Sequence, residues 1–246
     1  HCNAYSAGTG QCGTEETHAI FLKDCDSCAA RFNLIDSMGD EGIVWQGDDG
    51  IIFQNELVNT PSIRGGSAGG GGSALEIEAN RLIVSQNIVH GIQADPQGDG
   101  GSCTTACQNR NASVAVATNM GADISGIQIL DNWLYDIDAW HGFSINSSSA
   151  AVSDVRIAGN TVEMLNQATA TNCEEAPTYD PGGGTVDSMR CAISFTGSDT
   201  GSLGVSRDRI VVEGNRFKGT VLFPSVGDGA FGSVVIRDNV IGNDTL

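Results

Sequence analysis

The sequence has very little lysine, little proline and no long apolar segment. Lys23 and Lys218 are its only lysines, five prolines occur in 246 residues, and 17% of the residues are charged. This composition does not suit solvated surface helices, whose outer faces carry many charged side chains. No apolar run approaches the ~20 residues that a membrane-spanning helix needs, so we expect no membrane span. The 33 glycines indicate a chain with many tight turns instead.

Basic residues are scarce as a class. The sequence has 12 basic and 30 acidic residues, which gives a formal net charge of −18. Such a surface repels nucleic acids and anionic membranes, so we exclude nucleic-acid binding. The acidic surface also disfavours the binding of a polyanionic polysaccharide unless cations bridge the protein and the polysaccharide. Calcium is therefore the candidate cofactor. Acidic loop residues could supply its oxygen ligands, and the alternative is that they are solvated loop tips: Asp24, Asp26, Asp95 and Asp99.

The cysteines number eight and fall into four local pairs. We expect disulfides of a secreted or cell-surface protein, although the sequence alone leaves on the order of a hundred pairings open. The local pairs are Cys2 with Cys12, Cys25 with Cys28, Cys103 with Cys107, and Cys173 with Cys191. A zinc site on the Cys25-Asp26-Ser27-Cys28 segment is the alternative, but no second CxxC or HxxxH completes a tetrahedron.

One short pattern centred on an asparagine recurs seven times along the chain. Most copies carry apolar residues five and three positions before the asparagine, such as Ile127 and Ile129 before Asn132. Every copy has another apolar residue two positions after it. This alternation is typical of two short strands joined at the asparagine. The seven asparagines are Asn33, Asn55, Asn87, Asn132, Asn160, Asn215 and Asn239.

A third strand precedes most copies, for example Ile43-Val44-Trp45, so each repeat predicts three strands. We expect the asparagine to adopt the left-handed backbone region and its stacked side chains to form a hydrogen-bonded ladder. The pattern predicts an all-β chain: a right-handed parallel β-helix of about seven rungs over residues 18–246, preceded by a disulfide-linked segment, residues 1–17. Insertions at 61–73, 94–111 and 166–190 are expected to leave the wall near one corner.

These repeats resemble the right-handed parallel β-helix repeat superfamily. Its members include pectate lyases, polygalacturonases, alginate epimerases, phage tailspikes and many bacterial surface proteins. The resemblance covers about residues 18 to 246 and implies a single-stranded solenoid with loop insertions. It does not select one function, because this fold carries many different activities.

The segment from Tyr135 to His141 is the best candidate for chemistry. With Ile137 pointing inward, Asp136 and Asp138 would point outward beside His141, where they could act as acid and base in glycosidic cleavage. The segment is similar to the Tyr-x-x-Asp-Pro-His stretch of alginate epimerases, but it lacks the proline and has an extra residue before the histidine. The alternative is that both aspartates are solvated strand residues.

Two further sets of polar residues are weaker candidates. Asp48 and Asp49 resemble the paired aspartates of polygalacturonases, but the other motifs of that family are absent, so we expect a turn between two strands. His18 and His90 are interpreted as isolated residues with surface or packing roles.

Two classes of function remain open, and the sequence does not decide whether the chain is an enzyme. The first is an extracellular structural or binding solenoid, a cell-surface or filament-forming subunit that assembles head to tail. The last copy, from Val234 to Thr245, ends after an apolar rung without an amphipathic helix to cover it, and solenoid ends usually need a cap. The alternative is a secreted carbohydrate-active enzyme, a polysaccharide lyase, hydrolase or epimerase, that binds its polysaccharide in a surface groove.

Overall fold

The computed structural model describes residues 18–37, 41–59, 73–92, 112–117, 122–137, 141–146, 150–164, 191–196, 207–218, 220–221 and 232–242. These residues form three parallel sheets and no helix. Sheet 1 contains β1 (Ile20–Lys23), β4 (Ile43–Gln46), β7 (Leu75–Ile77), β10 (Ala112–Ala117), β14 (His141–Asn146), β17 (Cys191–Thr196) and β20 (Thr220–Val221). Sheet 2 contains β2 (Ala29–Arg31), β5 (Ile51–Phe53), β8 (Ile83–Ser85), β12 (Gln128–Leu130), β15 (Val152–Ala158), β18 (Arg207–Glu213) and β21 (Val234–Arg237), with β11 (Ile124–Ser125) beside β15. Sheet 3 contains β3 (Leu34–Asp36), β6 (Glu56–Val58), β9 (Ile88–Ile92), β13 (Trp133–Ile137), β16 (Thr161–Met164), β19 (Arg216–Lys218) and β22 (Val240–Gly242).

The chain contributes strands to sheets 1, 2 and 3 in turn, and each such turn of the solenoid is one of seven rungs. Rung 1 consists of β1 to β3, rung 4 of β10 to β13, and rung 7 of β20 to β22. Strands of neighbouring rungs pair in parallel, as Ile35 with Leu57 in sheet 3. The predicted right-handed parallel β-helix, with seven rungs and three strands per rung, is therefore confirmed. Residues 1–17 lie outside the described part, so the proposed division at residue 18 stays a prediction.

The core is built from columns of inward side chains, one from each rung. The column that follows the asparagine by two positions is the clearest example, because its first six members are at most 5% exposed. Strand alternation turns these side chains inward and their neighbours outward. The members are Ile35, Leu57, Val89, Leu134, Val162, Phe217 and Ile241, of which Ile241 is exposed.

The seven repeat asparagines form the predicted ladder without interruption. The Oδ1 of Asn160 accepts hydrogen bonds from the backbone N–H and the Nδ2 of Asn132, both at 2.9 Å. The Nδ2 of Asn160 donates to the carbonyl of Ile129 and to the Oδ1 of Asn215, again at 2.9 Å. The same pattern connects each rung to the next, from Asn33 to Asn239. Side-chain amides thus satisfy backbone groups that the turn between sheets 2 and 3 leaves unpaired.

The expectation that the asparagine itself is left-handed is wrong. No ladder asparagine has a positive φ, whereas the residue before each one does, such as Gln54 at 51° and Asp131 at 53°. This preceding residue turns the chain from sheet 2 to sheet 3, and the asparagine side chain then bonds the neighbouring rungs. The left-handed column is Phe32, Gln54, Gln86, Asp131, Gly159, Gly214 and Asp238.

The main insertions share one topological position. Residues 60–72, 93–111 and 165–190 each lie between a strand of sheet 3 and the following strand of sheet 1. The insertions themselves lie outside the described residues.

Candidate functional site

The predicted catalytic segment is divided between two sheets. Asp136 lies near the end of β13 in sheet 3, where it is exposed and followed by the buried Ile137. His141 begins β14 in sheet 1, where its backbone pairs with Ala112 and Cys191. Asp138 lies outside the described residues, as does the side chain of His141. Their proposed roles as acid and base therefore stay a prediction.

Asp136 has a structural role in the described part of the chain. Its φ is 56°, and it continues a left-handed column formed by Ser37, Asn59 and Gly91, each four positions after a ladder asparagine. The pairing of β13 with β16 shifts between Leu134 and Ile137, so Asp136 belongs to a bulge. Aspartate is among the residues that tolerate this backbone region, which favours the alternative that Asp136 is a solvated strand residue.

Four side chains on the outer face of sheet 3 form what we call the ring cluster: Glu56, His90, Trp133 and Tyr135. The rings of His90 and Tyr135 stack with centroids 4.7 Å apart and planes 6° from parallel. Trp133 lies tilted against Tyr135 at 4.6 Å. The Nε2 of His90 is 3.0 Å from the Oε1 of Glu56. The cluster thus extends over rungs 2, 3 and 4.

The register of the solenoid brings these residues together. Glu56 and Trp133 each follow a ladder asparagine by one position, and His90 and Tyr135 follow one by three, so all four point outward. His90 and Tyr135 are paired across the sheet although they are 45 residues apart. The interpretation of His90 as isolated is therefore wrong. His18 is not isolated either, since its Nδ1 lies 2.9 Å from the Oε2 of Glu41.

The turn between sheets 1 and 2 carries a charged network. Asp49 has a φ of 57° between β4 and β5, which confirms the predicted turn. Its carboxylate receives two hydrogen bonds from Arg81, at 2.6 and 2.9 Å, and Asp48 receives a third at 3.2 Å. The bonded guanidinium lowers the pKa of Asp49. Because these side chains are satisfied by each other, they form a structural element and not a free pair of carboxylates.

A second charged network lies on the outer face of sheet 2. Glu213 accepts hydrogen bonds from Arg156 at 2.9 Å and from Arg237 at 2.6 and 2.8 Å. These bonds lower the pKa of Glu213 and connect rungs 5, 6 and 7. The network borders a shallow open groove of about 400 Å³. Gly159 and Gly214 form part of its floor, and a side chain at position 159 would collide with the carboxylate of Asp131.

The cysteine and calcium predictions are only partly covered by the described residues. Cys25 and Cys28 are joined by a disulfide with a Cα–Cα distance of 5.8 Å, so they do not form a zinc site. The side chains of the other six cysteines lie outside the described part. Asp26 accepts a hydrogen bond from the backbone of Asp48, and no group of three metal-ligating side chains occurs among the described residues. Calcium binding by Asp24, Asp26, Asp95 or Asp99 stays a prediction.

The exposed apolar side chains concentrate at the first and last described rungs of the solenoid. Among the described residues eight large apolar side chains are exposed, and all but Trp133 belong to rung 1 or rung 7. Rung 1 contributes Phe21, Phe32 and Leu34, and rung 7 contributes Val235, Ile236, Val240 and Ile241. Rungs 1 and 7 therefore carry candidate contact surfaces.

Comparison of the chain with family models, curated proteins and solved structures finds no match. The fold assignment therefore rests on the three parallel sheets and the asparagine ladder. Within the described residues, no helix has the length and hydropathy to cross a membrane.

Proposed function

We propose that the chain is an extracellular structural subunit whose solenoids associate head to tail. The observation that carries this proposal is the concentration of exposed apolar side chains at rungs 1 and 7. In rung 7 even the core columns are uncovered, since Ile236 is 42% and Ile241 52% exposed. Covering such an end with another rung buries apolar surface and pairs the open strand edges.

The ladder gives the contact a direction. Each asparagine offers its backbone N–H and Nδ2 to the Oδ1 of the next rung, as Asn215 does to Asn239. At the far end, no partner for the N–H of Asn239 lies among the described residues, and the Oδ1 of Asn33 is the matching acceptor at the other end. Head-to-tail stacking joins donors to an acceptor, whereas tail-to-tail stacking places donors against donors. The ladder therefore favours an open, heterologous assembly over a closed dimer.

The two end surfaces are not equivalent. In rung 1 the inward residues Ala30 and Ile35 are only 4% and 5% exposed, while the outward residues Phe32 and Leu34 are 68% and 69% exposed. If a second molecule continued the same strand register after rung 7, its Leu34 would lie beside Val240 and extend an apolar contact. Its Arg31 would lie beside Arg237, and the two guanidinium groups would repel each other. Together with the net charge of −18, this repulsion predicts that assembly strengthens as salt screens the charges.

Light scattering and electron microscopy of the purified chain at increasing concentration and salt test the proposal. We expect open-ended particles whose mass grows with concentration. Ile241→Asp should prevent this growth by placing a charge on the exposed core column, because burying an unpaired carboxylate is costly. Ile83→Asp is the matched control, since Ile83 lies on the outer face of sheet 2 in rung 3, away from both ends.

Two results would contradict head-to-tail assembly. One is a monodisperse particle of 25.5 kDa under every condition. The other is a dimer that does not grow, which would indicate a closed two-fold contact instead.

The extracellular location and membership of the β-helix repeat superfamily belong to the same proposal. The Cys25–Cys28 disulfide supports an oxidising compartment. The parallel sheets and the asparagine ladder support the superfamily. A polysaccharide partner is likewise proposed, and the ring cluster is the described surface that suits one.

A further inference from the structure

Trp133 is the exception to the distribution of exposed apolar side chains. It is 46% exposed in rung 4, at the middle of the solenoid, where an end-to-end contact does not reach. Trp133 is also in contact with Tyr135 of the same strand. An indole that remains half exposed beside other rings is typical of a binding surface, because its large apolar face gains most from contact with a ligand.

The ring cluster is held in place before any ligand arrives. His90 is fixed by stacking on Tyr135 and by its 3.0 Å contact with Glu56. Trp133 is supported by Tyr135, and all four residues lie on paired strands of sheet 3. Little side-chain entropy is therefore lost on binding, which is the advantage of a preorganised site.

The surroundings of the rings are polar and acidic. The Glu56 side chain is 50% exposed, and in rung 5 the outward residues on this face are Thr161, which pairs with Trp133, and Glu163. Charged residues are depleted from the cores of protein interfaces, so this surface does not suit an apolar protein partner. The carboxylates and the net charge of −18 disfavour polyuronates and nucleic acids.

We propose that the ring cluster binds a neutral glycan. A pyranose ring has an apolar face of C–H groups, which would pack on the exposed indole of Trp133. Its edge carries hydroxyl groups, which would donate hydrogen bonds to the Glu56 carboxylate. A neutral sugar is the ligand class that combines an apolar face with such donors and carries no negative charge.

Isothermal titration calorimetry of the 246-residue chain with neutral gluco-, manno- and xylo-hexasaccharides tests this proposal. A galacturonate hexasaccharide serves as the anionic probe. We expect at least one neutral hexasaccharide to bind and the galacturonate to bind more weakly. Trp133→Ala should weaken the binding at least about tenfold, and Glu56→Gln about threefold or more.

Phe21→Ala is the matched control, since Phe21 is 47% exposed but lies at the end of the solenoid. It should leave the affinity unchanged, and circular dichroism should show that every variant is folded. The proposal is overturned if none of the neutral sugars binds, if Trp133→Ala binds as the unmodified chain does, or if galacturonate is preferred. These outcomes are distinguishable from a failure of head-to-tail assembly, which is measured as particle mass.

Discussion

Rungs 6 and 7 share one sequence pattern but differ in exposure. In rung 6 the core residues Val212 and Phe217 are fully buried. Their counterparts in rung 7, Ile236 and Ile241, are 42% and 52% exposed. Both rungs have the asparagine, the preceding left-handed residue and the inward apolar side chains, but among the described residues rung 6 pairs with a rung on each side and rung 7 pairs only with rung 6. In a solenoid, the exposure of a core residue therefore depends on the neighbouring rungs as well as on the residue itself.

The largest expected effect comes from truncating the core columns of the two rungs. Phe217→Ala should lower the free energy of unfolding by about 3–5 kcal/mol, because it opens a cavity between two rungs. Ile241→Ala should lower it by only about 1 kcal/mol, since half of that side chain is already in water. Urea unfolding monitored by circular dichroism, at a concentration where the chain is monomeric, measures both. Equal losses would mean that rung 7 is covered in solution.

A smaller difference is expected between the ladder residues of the interior and the end. Asn160→Ala should cost about 3 kcal/mol, because buried partners in rungs 4 and 6 lose their hydrogen bonds. Asn239→Ala should cost about 1 kcal/mol, since Asn239 is only half-buried and bonds a rung on one side. The same urea titrations measure both variants. A larger loss for Asn239→Ala would contradict the ladder as the source of the difference.

The smallest effect is expected from the charged network that connects rung 7 to rungs 5 and 6. Hydrogen bonds from Arg156 and Arg237 hold the pKa of Glu213 below its ordinary value of 4.5. A carboxyl with a lowered pKa stabilises the fold above the ordinary value, and this contribution is lost as the pH falls through the folded-state pKa.

Glu213→Gln should therefore lower the melting temperature slightly at neutral pH and not at all well below pH 4.5. High salt should shrink the difference, because the partner arginines are exposed. Glu163→Gln makes the same charge change outside this network and serves as the control. A difference that persists in strong acid would exclude the ion pairs as its cause.

The sequence was sufficient to predict the fold because each repeat is recognisable from one asparagine and a few apolar residues at fixed distances from it. Seven asparagines with apolar residues at fixed offsets predict seven rungs and two strands in each, and the apolar segments that precede most copies predict the third strand. The left-handed position was assigned incorrectly because φ leaves little trace in residue type: its column contains Phe32, Gln54 and Asp131 as well as Gly159. Only the side-chain bonds of the asparagines explain why they recur.

The ring cluster was not predicted because two insertions separate its members in sequence, one between Glu56 and His90 and one between His90 and Trp133. His90 and Tyr135 are 45 residues apart but paired in the sheet. Aligning the copies on their asparagines and reading the outward offsets would have placed Trp133 above Ile88 and Tyr135 above His90. The catalytic prediction for Asp136 depended on its neighbours in sequence, whereas its place in a left-handed column and a bulge is visible only in the structure.

The asparagine ladder also bears on how the protein ages chemically. Deamidation replaces the Nδ2 of an asparagine by an oxygen, and at Asn160 that oxygen would face the carbonyls of Ile129 and Ala158 and the Oδ1 of Asn215. One such event would exchange three attractive contacts for three repulsive ones inside the wall. Asparagine deamidates fastest before glycine, and none of the seven has a glycine after it: the following residues are Leu34, Glu56, Ile88, Trp133, Thr161, Arg216 and Val240. The residues that follow the ladder asparagines therefore disfavour the deamidation that would disrupt the ladder.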